Sequence, residues 1–280
     1  MDAIILLNKP TGMTSFDAVA RVRKKFHEKK VGHTGTLDPQ ASGLLIILLG
    51  RYTKFIPYCV CDHKHYEATF QMGLLSDTQD IWGQIIDHKE PRVYADAQLK
   101  EAAKVFTGEI MQVPPMYSAI KKDGKKLYEL ARKGITVERE ARKAVIDDLE
   151  VHHLHDDIYS LKATVSSGTY IRTLIEDYAK SLGEYAVMTS LVRTGIEDIT
   201  LQEAVDLSEM GSEKGMVSPM RILNPDWKVV ETDQVADIRN GKRIELECQE
   251  ENVILVHQNQ ILAAYRKEKG KMYRCVRGLF

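Results

Sequence analysis

The sequence has no long apolar run, and it contains only four cysteines in 280 residues. A membrane-spanning helix needs about 20 consecutive apolar residues. No run approaches that length, so we expect no membrane partner. The N-terminal stretch MDAIILLNKPTGM also lacks the basic lead and the small-residue cleavage site of a signal peptide. These features predict a cytoplasmic protein.

The cysteines indicate neither a disulfide framework nor a metal site. Cys59 and Cys61 alternate with His63 and His65 in the segment YCVCDHKHYE, and on one strand all four side chains would point to the same face. Structural zinc sites take ligand pairs from separate segments, because four ligands on one straight strand cannot surround an ion. We therefore expect ordinary packing at these residues and no bound metal.

The charge of the chain is nearly balanced in total but unevenly distributed. The composition, 44% hydrophobic and 28% charged with a net charge of −1, is typical of a globular protein. Residues 120–143 carry nine basic and four acidic groups, residues 195–250 carry six and thirteen, and the last twenty residues carry six and one. This asymmetry favours a protein that lays basic segments on a polyanion. The alternative is a set of solvated helix faces and a basic tail.

Three segments have the periodicity and end signals of helices. The first begins at Thr14 or Ser15, either of which is a suitable N-cap, and Phe16, Val19, Val22 and Phe26 form its predicted apolar face. The second is predicted to be capped by Asp96 and to stop at Gly108. The third runs from Thr169 to Gly183, with Ile171, Leu174, Ile175 and Tyr178 on one face.

Strand-like patterns surround these helices without a regular alternation. They cover residues 4–7, 66–72, 144–154, 158–166 and 186–194, and short β runs follow Asn224-Pro225. The pattern predicts an α+β fold, with a mixed, largely antiparallel sheet flanked by helices. We place a main domain at residues 1–224, with an exposed basic excursion at 112–135, and a small β domain at 225–280.

The segment VGHTGTLDPQASGLL, residues 31–45, is predicted to be a glycine-rich loop that runs into the apolar core run LLIILLG. Its Asp38-Pro39 pair is on its own compatible with a simple turn. A phosphate-binding loop of the Walker type would need a lysine, which the segment lacks. The tetrapeptide TGTL also occurs in aspartyl-phosphate pumps, but Gly32 stands where those proteins have the nucleophilic aspartate.

Several segments together carry a resemblance to one family. GHTGTLDPQASGLL closely resembles the signature of the TruB family of pseudouridine synthases, which isomerise a uridine at position 55 in the T-loop of tRNA. The family's other motifs are matched, in the right order, by LNKPTGMTS, HKHYEATFQMG, QVPPMYSAIKKDGKKLYELARKG and SSGTYIRTLIEDYAKSLG. Gln40 departs from the family pattern, which more often has an apolar residue there. The C-terminal part looks like a short PUA domain, an RNA-binding β domain, although this similarity is looser.

The resemblance implies that Asp38 is the catalytic nucleophile, which attacks either the ribose C1′ or the base C6 of a flipped-out nucleotide. The chemistry is reasonable for an aspartate, which is ionised at neutral pH and needs no general base. Isomerisation breaks the bond from N1 to the sugar and rejoins C5 to it. Nothing is added or lost, so no cofactor is expected.

The resemblance also assigns roles to other residues. His33 is expected near the vacated position in the T-loop, Tyr66 is expected to stack on the flipped uracil, and Arg172 is expected to pair with Asp38. Without the resemblance, His33 reads as a loop histidine, Tyr66 as a core aromatic residue and Arg172 as a surface cation. The exposed basic excursion at 112–135 is similar to the family's mobile thumb. Expected substrate contacts are Lys9, Tyr170, Leu191 and the thumb lysines Lys121, Lys122, Lys125 and Lys126.

We therefore expect a monomeric enzyme that acts alone on tRNA. Two other functions are open: a catalytic subunit that works with a guide RNA, or a non-catalytic protein that binds or folds tRNA. The guided members of the family usually have longer C-terminal regions, which favours the stand-alone enzyme. The intact Asp38 loop argues against a binding protein, which would tolerate its loss.

Overall fold

A computed structural model describes residues 1–211 and 213–280. The chain forms two compact units. The first comprises Met1–Asp38, Leu45–Cys61 and Gln202–Phe280, and the second comprises Pro39–Leu44 and Asp62–Leu201. Among the described residues, no helix combines the length and the apolar character that crossing a membrane requires.

The elements are as follows. The helices are α1 Ser15–Phe26, α2 Asp96–Lys104, α3 Leu127–Ala131, α4 Ile171–Ser181 and α5 Val235–Arg239, with 3-10 turns at Gly50–Tyr58, Leu201–Glu203 and Pro219–Ile222. The strands are β1 Ala3–Lys9, β2 Val31–His33, β3 Ser42–Leu49, β4 His63–Met72, β5 Leu74–Ser76, β6 Ile85–His88, β7 Gly108–Gln112, β8 Lys121–Lys122, β9 Lys125–Lys126, β10 Arg142–His155, β11 Ile158–Ser166, β12 Ala186–Ile196, β13 Ile199–Thr200, β14 Val205–Asp206, β15 Lys228–Glu231, β16 Ile244–Glu245, β17 Asn252–His257, β18 Gln260–Lys269 and β19 Met272–Gly278.

In the first unit, β1 lies between β14, to which it is parallel, and β3, and β2 pairs antiparallel with the later part of β3. Helix α1 packs on this layer through Ala18, Val19 and Val22, which share a core with alternate residues of β1 and β3. The helix begins where the sequence predicts, because Thr14 and Asp17 form a capping box in which each side chain accepts the other residue's backbone N–H.

The same unit contains a sheet in the order β15-β17-β18-β19-β16. It encloses its own core, in which Tyr265 and Tyr273 are fully buried beside Val253 and Leu255. This sheet corresponds to the β runs predicted after Asn224-Pro225. The boundary between residues 224 and 225 stays a prediction.

In the second unit the strand order is β12-β4-β11-β10-β7, all antiparallel to their neighbours, with Ser42 and Gly43 at the start of β3 parallel to β12. Phe70, Tyr159 and Tyr178 form an aromatic cluster beneath α4, with ring centroids 5.5 and 6.3 Å from that of Phe70. The predicted α+β class with a mixed, largely antiparallel sheet is confirmed.

Some of the local predictions are wrong. Phe16, predicted on the apolar face of α1, is 66% exposed, and its ring lies beside the Arg23 guanidinium instead. Asp96 is the first helical residue of α2 rather than its cap, and the Gln98 side chain accepts the Ala95 N–H. That helix ends at Lys104, and Gly108 opens β7.

The predicted loop at residues 31–45 is also shorter than expected. Its first three residues form β2, because their backbone groups pair with the buried strand β3. Irregular backbone is confined to residues 34–41, and β3 starts at Ser42.

Candidate active site

Asp38 lies in the irregular segment between β2 and β3 and is half-buried. The segment is fixed at its start, where the Thr34 N–H donates to the Ile46 carbonyl at 3.2 Å. His33, the last residue of β2, pairs with Ile47 and is also half-buried. The sequence thus places His33 and Asp38 at the two sides of one short excursion from a buried strand.

The buried hydroxyl of Ser15 holds the residue before Asp38. The Leu37 N–H donates to Ser15 Oγ at 2.8 Å, and Ser15 Oγ donates to the Leu37 carbonyl at 3.2 Å. Both residues are almost fully inaccessible to solvent. Because Leu37 is immobilised at both backbone groups and by side-chain burial, the Asp38 Cα has little freedom to move.

Lys9, expected to contact RNA, is fully buried. Its ammonium donates to the carbonyls of Pro10 and Met13 at 2.9 and 2.8 Å. In this structure, therefore, Lys9 supports the turn that leads into α1. Its assignment to RNA binding stays a prediction.

In the second unit, Tyr66 and Leu191 share one face of the sheet. Tyr66 on β4 pairs with Arg193 on β12, and Leu191 pairs with Ala68. Residues paired across antiparallel strands point to the same side of a sheet, and so do residues two positions apart on one strand. The side chains of Tyr66 and Leu191 are therefore diagonal neighbours on one face. Both are mostly buried. An aromatic ring and an aliphatic side chain therefore lie next to each other on this face of the sheet.

Arg193, which no local sequence pattern marks as part of a site, is completely buried between these residues and the start of β3. Its Nε donates to the Leu44 carbonyl at 2.7 Å. Backbone contact is close here: a Cβ at Gly43 would lie 2.3 Å from the Arg193 carbonyl oxygen. Arg193 therefore fixes the backbone six residues after Asp38.

Tyr170 stands at the N-cap position of α4, and its backbone is held by Gln112 at the end of β7. The Tyr170 N–H donates to Gln112 Oε1 at 2.8 Å, and Gln112 Nε2 donates to the Tyr170 carbonyl at 3.1 Å. Gln112 is buried. The amide thus orients the start of the helix on which Arg172 stands.

Arg172 is buried, and its guanidinium joins two separate segments. Nη1 donates to the Thr78 carbonyl at 2.9 Å, and Nη2 donates to the Tyr117 carbonyl at 3.0 Å. The Asp80 carboxylate lies 3.9 Å from Nη1. Arg172 is thus the centre of a polar cluster rather than a surface cation. The predicted pairing of Arg172 with Asp38 stays a prediction.

The four thumb lysines form a two-stranded hairpin. Lys121 is opposite Lys126 and Lys122 is opposite Lys125, around a turn at Asp123-Gly124 in which both residues have positive φ. Like charges directly opposite each other destabilise a strand pair. Lys122 donates to the Glu138 carbonyl, and Lys126 lies over the Tyr128 ring. Lys121, Lys122 and Lys125 are exposed, and Lys126 is half-buried. The four lysines therefore place positive charges close together in the hairpin, an arrangement that does not stabilise its fold.

The alternating Cys and His residues do not form a single strand face, because β4 starts only at His63. Burial raises the pKa of the Cys59 thiol, which opposes the thiolate that a metal needs. The His63 imidazole is hydrogen-bonded to Asp147 at 2.7 Å, which raises its pKa. Within residues 1–211 and 213–280, no group of three or more metal-ligating side chains is found.

Residues 23–171 match the model of the TruB family pseudouridylate synthase N-terminal domain. The chain is 40% identical to tRNA pseudouridine synthase B of Oenococcus oeni, over 96% of this chain and 95% of that protein. It is 36% identical to the protein of the same name from Mesoplasma florum, over 98% and 97% of the two chains. The corresponding protein of Bacillus pumilus is 42% identical over 86% of this chain and 82% of its own length.

Solved structures share the fold. A chain of a Cbf5-Nop10-Gar1 complex superposes with a TM-score of 0.72 and 22% identity, over 99% of this chain and 85% of that chain. A chain of the archaeal box H/ACA sRNP Nop10-Cbf5 complex gives a TM-score of 0.70 at 20% identity, over 99% and 86% of the two chains. At these identities, the likeness establishes the fold only.

Proposed function

The chain belongs to the TruB family of pseudouridylate synthases, and we propose that it converts uridine 55 in the T-loop of tRNA to pseudouridine. The observation that carries this proposal is similarity along nearly the whole chain to proteins named tRNA pseudouridine synthase B, from several bacteria. The named substrate of those relatives is tRNA. The T-loop position comes from the resemblance of the Asp38 segment to the family signature.

The reaction needs a nucleophile, access to the uracil base, and a site that keeps the detached uracil in place until it is rejoined to the ribose. The N1–C1′ bond of the nucleotide breaks, the uracil turns, a C5–C1′ bond forms, and the C5 proton is replaced by a proton on N1. Because atoms and electrons balance within the nucleotide, the reaction consumes no oxidant, reductant or second substrate, and we assign its catalysis to side chains of the protein. The base must first leave the stacked loop, at a cost of a few kcal/mol.

We assign the nucleophile to Asp38. This assignment is supported by the Leu37 backbone next to Asp38, whose N–H and carbonyl are both hydrogen-bonded to Ser15 Oγ. Covalent catalysis requires a carboxylate that is held in a narrow range of positions. Tyr66 is assigned to stack on the flipped uracil and Leu191 to pack beside it, which suits their shared face of β4 and β12. The ionic partner assigned to Asp38 is Arg172, and His33 is assigned to the vacated position in the T-loop.

Binding energy is assigned mainly to phosphates. The hairpin of Lys121, Lys122, Lys125 and Lys126 supplies cations that folding alone does not explain, and the basic strands β18 and β19 supply a second set. Recognition then depends on the shape of the T-loop rather than on base edges. We propose that the enzyme acts as a monomer without a guide RNA, like the stand-alone enzyme expected from the sequence.

The direct test is incubation of the purified protein with an unmodified tRNA transcript, followed by mapping of pseudouridine at each position. We expect one product, at position 55, with no other macromolecule added. Conversion only when a guide RNA is supplied would replace the proposal by the guided alternative. Tight tRNA binding without any product would support the non-catalytic alternative.

A further inference from the structure

A groove in the first unit is lined by residues that the proposed chemistry does not use. It has a volume of about 890 Å³ and lies between α1 and the segment after β14. Its lining includes three basic residues of α1, the carboxylate of Asp206, the hydroxyl of Ser208 and three apolar residues.

One wall of this groove is a cluster of cations. Lys24 and Lys25 stand three and four residues after Arg21 on α1, so the three side chains are neighbours on the exposed side of the helix. Within the described residues, none of the three forms an ion pair with a carboxylate. The Lys25 stem rests on the backbone at Gly211, where an added Cβ would lie 3.1 Å from Lys25 Cε.

The opposite wall is only weakly acidic. Asp206 is its one carboxylate among the lining residues, and Asn8 Nδ2 already donates to Asp206 Oδ1 at 2.8 Å. Three cations against one carboxylate leave a net charge of +2 in the groove. Pro10, Leu207 and Met210 contribute apolar surface between the walls, with Met210 buried in the core beneath.

We propose that this groove binds a segment of RNA backbone, with phosphates on Arg21, Lys24 and Lys25 and a ribose or base against Pro10 and Leu207. A groove with cations on one side and apolar surface on the other complements a nucleotide, which is charged at the phosphate and flat and weakly polar at the base. The inference rests on the proposed function, since it takes tRNA as the RNA. It concerns residues other than those of the thumb hairpin and the basic C-terminal strands.

The helix dipole alone does not account for the cluster. It favours cations in the last turn of α1, where Lys24 and Lys25 lie, but it falls off within that turn, and Arg21 stands more than one turn from the helix end. Lys29 and Lys30, just beyond the helix, would be expected to behave as ordinary solvated cations. They lie outside the groove lining and lack ion pairs in the described part of the chain, so they provide a control with the same change in charge.

The test compares Lys24→Gln/Lys25→Gln with Lys29→Gln/Lys30→Gln in binding of full-length unmodified tRNA at several salt concentrations. Each phosphate that the protein no longer neutralises lowers the slope of log K against log salt by roughly 0.7–0.9. Between about 50 and about 200 mM salt, the affinity of the groove variant should therefore change about tenfold less than that of the wild type. The control pair should retain the wild-type slope.

Two further measurements make the result specific. Ser208→Asp adds a carboxylate to the groove without removing a cation, and it should weaken tRNA binding in the same direction. At saturating tRNA, the groove variants should form pseudouridine at the wild-type single-turnover rate, because no residue of the assigned chemistry is changed. A wild-type protein that forms no pseudouridine would refute the proposed function, and the slopes would still test the groove.

Equal reduction of the slope in the two lysine pairs would overturn the proposal, because the effect would then come from overall positive charge. Unchanged binding in both Lys24→Gln/Lys25→Gln and Ser208→Asp would do the same. Polyglutamate is a separate probe. If it displaces tRNA from the wild type as effectively as a tRNA competitor does, and does not displace tRNA from the groove variant, the groove is an acidic-peptide site instead.

Discussion

Ser15 Oγ accepts the Leu37 N–H at 2.8 Å and donates to the carbonyl of the same residue at 3.2 Å, so one buried hydroxyl fixes both backbone groups next to Asp38. Ser15→Ala leaves these groups unsatisfied and releases the Asp38 backbone. We expect the single-turnover rate of pseudouridine formation to fall by about tenfold to a hundredfold, since small displacements of reacting groups have effects of this size.

The affinity of Ser15→Ala for tRNA should change little, which separates positioning of the carboxylate from loss of a binding surface. Ser181→Ala is the matched control, because Ser181 Oγ donates to the Tyr178 carbonyl at 2.7 Å within α4. A lower melting temperature with an unchanged rate would make Ser15 a purely structural residue.

Asp38→Asn tests the nucleophile itself. The amide is nearly isosteric with the carboxylate but is not an anionic nucleophile, so turnover should be abolished while folding and tRNA affinity are retained. The measurements are single-turnover conversion and filter binding of the same transcript. Residual activity within about tenfold of the wild type would assign the chemistry to another group.

Arg172→Lys tests whether the guanidinium geometry matters. Arg172 donates to carbonyls of two segments, at Thr78 and Tyr117, and a lysine has a single ammonium on a flexible stem. We expect the single-turnover rate to fall by at least about tenfold, an increase in the barrier of about 1.4 kcal/mol, with tRNA affinity little changed. Arg92→Lys, at an exposed arginine, should be neutral. Equal losses of affinity and rate would identify Arg172 as a phosphate contact.

Replacement of all four thumb lysines, Lys121, Lys122, Lys125 and Lys126, by Gln should weaken tRNA binding and its dependence on salt. The slope of log K against log salt should fall by roughly 0.7–0.9 for each phosphate that the hairpin neutralises. Folding should not suffer, because the lysines face one another in pairs across the hairpin. Lys100→Gln/Lys104→Gln on α2 is the control. An unchanged slope in the quadruple variant would make the hairpin a solvated turn.

The helices and strands are largely predictable, because their signals are local. The Thr14 cap, the buried face of α4 and the alternation along β4 all follow from residues within a few positions of one another. Periodicity alone misplaces Phe16, since an apolar side chain at the edge of a helix face can be exposed when no element covers it.

The supports of the candidate site are less predictable, because they join residues far apart in sequence. Ser15 and Leu37 are separated by 22 positions, Gln112 and Tyr170 by 58, and Arg193 and Leu44 by 149. The local sequence marks Ser15 only as a helix cap, Gln112 stands in a matched family segment that assigns it no role, and no local pattern marks Arg193. Their partners are set by strand register and by the packing of α4, which a single sequence does not reveal.

The Glu184 carboxylate provides a test of stability against pH. It is almost fully buried, lies 3.0 Å from Lys89 Nζ, and accepts the Tyr94 hydroxyl at 2.8 Å. Burial on its own would raise the pKa of Glu184, but the Lys89 ammonium and the Tyr94 hydroxyl outweigh it and lower the pKa below its ordinary value. Burial and the same contact raise the pKa of Tyr94 to about 12.

Because the pKa of Glu184 is lower in the folded protein than in the unfolded chain, its ionised form stabilises the fold above the unfolded value, about 4.3. This contribution should be lost as the pH falls through the lower, folded value. Glu184→Gln should therefore reduce the free energy of unfolding at pH 7 by about 1–3 kcal/mol, and the difference from the wild type should shrink below about pH 4. Urea unfolding at neutral and acid pH measures this, with Glu90→Gln outside the buried cluster as the control. A difference that stays constant down to acid pH would mean that Glu184 acts through packing rather than through its charge.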